Sequence, residues 1–400
     1  MKFPYQSFLK VGCRNLIGKL TFPWGSFLIY LAFQTGCEFT IPKSPPDIFY
    51  RNITLKVADG PSDVLAKDLN LDGNMDLAIA NMRADLVTIY QGEGDGFFSK
   101  RMDLKVLPEP SSVVSGDLNR DGFPDLILNS RGSDALSILI SSGDGFFRPV
   151  KQVKTGKVPL DIILADINRD GFLDAAVTLT FHKLEIFLGF GNGNFRKVGT
   201  YTTGSRSESG VSADFNEDGS LDLALAVSSP GASSVRIFEG NGDGTFNQTR
   251  RLAKGQKPLT LFSKDMNGDH HVDLLAATGM QDNMILMLGK GNGDFYEPTN
   301  FSGGGGPLAL TANFFNRDTF PDVAVANSRS SSFSIIFGKS GGKFHYPSLD
   351  YIVDGGTPIA IASADFNNDG MLDIAVSSDT KNTIEVYLQK LERKLPNTTN

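Results

Sequence analysis

Asp68-Leu69-Asn70-Leu71-Asp72-Gly73-Asn74-Met75-Asp76 is a nine-residue stretch with carboxylates at positions 1, 5 and 9, an amide at position 3 and glycine at position 6. The same set returns as Asp117, Asn119, Asp121 and Asp125, as Asp166, Asn168, Asp170 and Asp174, as Asp214, Asn216, Asp218 and Asp222, and as Asp365, Asn367, Asp369 and Asp373. A fifth copy keeps Asp265, Asn267, Asp269 and Asp273 but carries His270 in place of the glycine. A degraded copy, Phe314 to Asp322, has Phe314 for the first aspartate and Thr319 for the glycine. In chain order the seven stretches start 48 to 51 residues apart, the signature of a structural repeat.

The flanks repeat too. A short apolar run precedes each stretch, such as Asp161-Ile-Ile-Leu-Ala165, and another follows, such as Leu223-Ala-Leu-Ala-Val227. Runs this short are strands, and their continuous apolar character suits strands covered on both faces. A third run alternates, as in Val87-Thr-Ile-Tyr90, and leads into a Gly-rich turn such as Gly240-Asn-Gly-Asp-Gly-Thr-Phe246. A fourth, polar and Lys-rich, reads as an edge strand protected against pairing with other chains. Four short antiparallel strands in each of seven repeats predict an all-β, seven-bladed β-propeller. The seventh repeat stops after its third strand, Thr383–Leu388, whereas residues 48–57 precede the first repeat and read as a fourth strand. Residues 48–57 are therefore expected to complete the last blade and close the ring.

Composition agrees. The chain has 43 glycines, and its 30 phenylalanines far outnumber its single tryptophan, which suits many tight turns between packed strands. The net charge of −7 and the lack of a Lys/Arg-rich run argue against nucleic acid as a partner. The only cysteines, Cys13 and Cys37, precede the repeats, so the repeat region holds no disulfide and no Cys-based site.

Together the acidic stretch, the apolar strand after it and the Gly-rich turn resemble the FG-GAP/VCBS repeats of bacterial surface proteins and of the integrin α-subunit propeller, over residues 48–390. The resemblance implies that each repeat is a blade and that the acidic loops bind calcium. It also implies that these loops lie on the lower face, with ligands met on the upper face.

The residues themselves support a hard cation. Side-chain oxygens at positions 1, 3, 5 and 9 and a carbonyl at position 7 make a calcium-type donor set, and glycine at position 6 allows the backbone to reverse. Zinc would call for His or Cys. Asp, Asn and Gly also dominate ordinary turns, but a turn alone is not expected to need an aspartate at position 9. Up to six Ca2+ sites are expected, with the His270 loop weaker and the Phe314–Asp322 loop empty or barely occupied. Sites of this extracellular kind have affinities on the order of 10⁻⁴–10⁻³ M and would act as structural braces.

Residues 1–23 carry Lys2, Lys10, Arg14 and Lys19 without an acid, and residues 24–33 are an apolar run too short to span a bilayer. Gly36-Cys37 after this run resembles a bacterial lipoprotein cleavage site, although Gln34 stands where such sites usually carry Leu. Residues 1–36 are expected to be a signal peptide, Cys37 a lipidated N-terminus and residues 37–47 a tether. A plain cleaved signal and an uncleaved anchor are the alternatives. Residues 48–392 are assigned to the propeller and 393–400 to a tail.

The chain is therefore expected to be exported, either membrane-anchored or at the cell surface. The upper face would act as a binding or adhesion module for a protein or glycan through segments 81–85, 129–134, 204–210 and 327–329, which carry Arg83, Arg131, Arg206 and Arg329. A polysaccharide-processing enzyme and a structural scaffold are the competing functions. His182, His270, His271 and His345 are the only histidines, and no nucleophile elbow or zinc motif appears.

Overall fold

The structure is a computed structural model that describes residues 48–390, apart from 149, 150, 230, 232 and 355. It is a seven-bladed β-propeller of four-stranded antiparallel sheets, with one three-residue 3₁₀ turn at Gly279–Gln281. In blade one the strands are Pro61–Lys67, Asp76–Asn81, Leu86–Gly92 and Phe98–Lys105. First strands of successive blades contact one another around the ring, including blade seven to blade one, so they line the centre and fourth strands lie outermost. Blade seven is built from Pro358–Ala364, Asp373–Ser378, Thr383–Gln389 and, as the sequence predicts, the N-terminal strand Phe49–Lys56. Phe49 stands opposite Gln389 and Lys56 opposite Thr383. Blade six adds a small ribbon, Gly338–Lys339 with Lys343–Phe344, in its Gly-rich turn.

The core is not one mass. It is seven apolar clusters, each shared by two neighbouring blades. At the closing seam, Leu55, Ile384 and Val386 of blade seven meet Val64, Leu77 and Ile79 of blade one. Second strands are buried along their whole length in all seven blades, which explains their unbroken apolar sequence. Because strands alternate in direction, each acidic loop (strands one to two) shares an end with the Gly-rich turn (strands three to four). The two-to-three turns and blade connections occupy the other end.

Candidate functional site: the acidic-loop ring

All seven acidic loops lie on one face, in a ring inside the Gly-rich turns. In loop one the Asp68 carboxylate accepts N–H bonds from Asp72 at 3.2 Å and Gly73 at 2.9 Å. Asn70 Oδ1 accepts from Asp72 N, and Asn70 Nδ2 donates to Asp72 Oδ2 at 2.9 Å, so the side chains at positions 3 and 5 are drawn together. All the other loops, loop six included, repeat the position 3 to 5 contact, and loops two, three, four, five and seven repeat the bond from the position 6 N–H to the position 1 carboxylate. Position 6 is left-handed in each: φ is 92° at Gly73 and 72° at His270, where a side chain makes that conformation costly. Loop six differs. Phe314 has no carboxylate for the position 6 N–H, and neither Arg317 nor Thr319 is left-handed.

Position 9 is used the same way in all seven blades. Asp76 Oδ2 accepts from Leu69 N and Oδ1 from Gly92 N, both at 2.9 Å. Asp125, Asp174, Asp222, Asp273, Asp322 and Asp373 make the equivalent pair. Each carboxylate thus ties the loop to the end of the third strand. The expectation that a turn has no need of this aspartate is corrected here: degraded loop six keeps it, at 0 % exposure. The donor to Oδ1 is glycine in five blades and Ser141 or Gln389 in blades two and seven, and in blade four a tight approach accounts for the glycine. A Cβ on Gly240 would sit 2.1 Å from the Leu221 carbonyl oxygen. Burial pushes Asp76 up to about 6, partly offset by its N–H bonds, and the negative charges of Asp72 and Asp68 push the same way.

These groups fit a hard cation in type: carboxylates at positions 1 and 5, an amide oxygen between them, and a like-charged carboxylate behind. Among the described residues, however, no group of three or more His, Cys, Asp or Glu side chains is placed to hold a metal ion. The oxygens at positions 1, 3 and 5 are turned onto backbone N–H groups and onto one another.

The loops are also linked to each other. The position 4 side chain reaches position 6 or 7 of the next loop: Arg120 donates to Gly171 O, Arg169 to Ser220 Oγ, Glu217 pairs with His271, and Asn368 donates to Asn74. Gly96 of blade one donates to Phe366 O in the loop of blade seven, and Gly193 to Leu118 O likewise.

On the opposite face, Arg83 pairs with Asp59 at 3.0 Å and with Asp379 at 2.7 Å, bridging the closing seam. Arg329 pairs with Asp282 of blade five, and Arg206 lies 2.8 Å from Glu208. Arg131 is part-buried, with a buried Nε that has no hydrogen-bond partner; burial, and then the nearby Arg206 charge, lower its pKa. Two expectations for this face need correction. Asn81 and Asn327 end second strands, Asn129 stands one residue before the end of its own, and all three are fully buried, so they do not face a ligand; Asn129 Oδ1, for example, accepts from Ser111 N and Ser112 N. Segment 204–210 is only partly loop, because the first strand of blade four starts at Ser207.

One pair of acids escaped the sequence reading. Asp63 and Asp161 interrupt the apolar first strands of blades one and three. Asp63 accepts from Val113 N of blade two, and Asp161 from Gly210 N of blade four and Ser112 Oγ of blade two. Burial raises both, Asp63 to about 6. Each bonds a neighbouring blade, which explains an acid in an otherwise apolar strand. Cys37 and the rest of residues 1–47, with 391–400, lie outside the described residues.

The FG-GAP-like repeat model matches residues 68–128, 117–177, 166–225, 214–276 and 315–376. No curated protein matches the chain. Among solved structures, BBS1N in complex with ARL6DN, soaked with lead, aligns with a TM-score of 0.60 at 14% identity, covering 87% of this chain and 98% of that one. The mercury-soaked crystal of the same complex gives 0.61 at 11% identity, covering 86% and 97%. At such identity the likeness is one of fold.

Proposed function

Because the chain belongs to the FG-GAP-like repeat family, we propose that it is an exported binding module in which calcium braces the acidic-loop face and the upper face meets a protein or glycan. One observation carries the metal reading. The six loops that keep the first aspartate share one backbone form, and the one that lost it has lost that form as well. Asp68, Asn70, Asp72 and Asp76, with their counterparts in loops two, three, four, five and seven, would hold the ions. Bound calcium would supply charge compensation among carboxylates that otherwise repel one another. Holding it requires the side chains at positions 1, 3 and 5 to turn from the backbone toward a common centre.

For the upper face, part-buried Arg131 lies close enough to Arg206 for the two charges to interact, a concentration of positive charge suited to a carboxylate of a protein or acidic glycan. The solved neighbour BBS1N, caught in complex with ARL6DN, is a case of this fold meeting a protein. A non-enzymatic role is part of the proposal. Asp63 and Asp161, which could pass for a catalytic pair, already have backbone partners.

A binding screen of the purified chain against glycans and extracellular proteins, with calcium or chelator, tests the module. Saturable binding weakened by Arg131→Ala supports it. Binding untouched by substitutions on the upper face, or turnover of a polysaccharide, overturns it.

A further inference from the structure

Exposed apolar groups are unevenly placed. Of the eleven exposed large hydrophobic residues among those described, eight lie at the acidic-loop end, whereas Phe181 and Ile352 lie at the upper end and Val198 within a fourth strand. Tyr50, Phe97, Phe146, Phe190 and Tyr296 stand at that end of blades seven, one, two, three and five, each between 38 % and 56 % exposed. They form an outer arc around the acidic loops, where Leu71 and Phe314 are exposed as well. Cations lie against these rings: Arg101 is 3.9 Å from the Phe146 centroid, Lys290 4.7 Å from Tyr296, and Arg196 5.8 Å from Phe190.

The chain also enters at this face. Residue 48 pairs with Lys390 beside Gln389, at the acidic-loop end of blade seven, and only residues 34–47 separate it from the apolar run 24–33. Aromatic rings flanked by Arg and Lys are what a bilayer interface accepts: rings sit at headgroup depth and cations meet phosphates. No helix among the described residues is long and apolar enough to cross a membrane. We propose that the acidic-loop face docks on a phospholipid surface through the aromatic arc, which leaves the upper face pointing away from the bilayer. The inference requires neither a lipid on Cys37 nor a particular upper-face ligand.

Vesicle binding alone would not test this, since residues 24–33 can insert unaided. The full chain, with Cys13→Ser and Cys37→Ser, is labelled with a fluorophore at Glu93→Cys in a Gly-rich turn or at Lys381→Cys in an upper turn. It is mixed with phosphatidylcholine/phosphatidylglycerol vesicles carrying a headgroup quencher. Quenching at position 93 should exceed that at 381 by about twofold or more. The variant Phe97→Ser/Phe146→Ser/Phe190→Ser/Tyr296→Ser should bring the two positions level while melting at an unchanged temperature. Equal quenching in the parent, stronger quenching at 381, no vesicle association, or a difference that survives in the variant would each overturn the proposal.

Discussion

The aspartate at position 9 combines a structural duty with a proposed one, and the two are separable. Asp322→Ala in loop six leaves two buried N–H groups without an acceptor and should cost about 2–4 kcal/mol in urea unfolding, equally with calcium or chelator. Asp68→Ala lies in an exposed part of its loop and should lower stability mainly when calcium is present. A calcium-independent loss as large at Asp68 as at Asp322 would contradict that division. Asp63 supplies a pH test. Burial raises its folded value to about 6, above the ordinary 3.8, so folding favours the protonated acid. Its contribution is fully present below the unfolded value and is lost as pH rises through the folded one. The stability of the parent relative to Asp63→Asn should therefore fall between about pH 4 and 6, by at most about 3 kcal/mol. A flat difference across that range would mean that Asp63 is not shielded as the structure places it.

Among the elements, the N-terminal strand Phe49–Lys56 matters most for closure. Phe49 is 4 % exposed and lies edge-on to Phe333, Tyr351 and Tyr387, with centroids 5.0 to 6.3 Å away. Phe49→Ala should cost about 3–5 kcal/mol by chemical denaturation; a loss below about 1 kcal/mol would mean that the strand is not docked. This strand was legible because the seventh repeat lacks a partner that residues 48–57 supply. Blade number and strand order were equally legible, since burial on both faces leaves an apolar run and turns leave glycine. What stayed hidden was how side chains meet across blades. Asp63 and Asp161 look like ordinary polar interruptions until Val113 N and Gly210 N are seen beside them. The bond from position 9 to Gly92 N spans sixteen residues and leaves no local signature. The buried asparagines were misplaced for the same reason: in sequence a strand's last residues and a turn's first look alike.

For the whole molecule, stability is distributed over seven interfaces, and calcium should act on it in proportion to filled loops. Each site held at ten times its Kd adds about 1.4 kcal/mol by linkage. A thermal melt in millimolar calcium should therefore shift upward by several degrees relative to chelator, and His270→Gly should enlarge the shift. No shift would remove the brace role. The ring's closure also sets an order of events. The strand that begins the propeller pairs with one synthesised more than three hundred residues later, and bringing such distant segments together costs on the order of 5 kcal/mol in chain entropy. Until Thr383–Gln389 is delivered, Phe49–Lys56 has no sheet to join. A chain interrupted before Thr383 would carry an unsealed seam open to other copies of itself, so during synthesis the amount of chain delivered, more than any single contact, times the passage from fragment to finished ring.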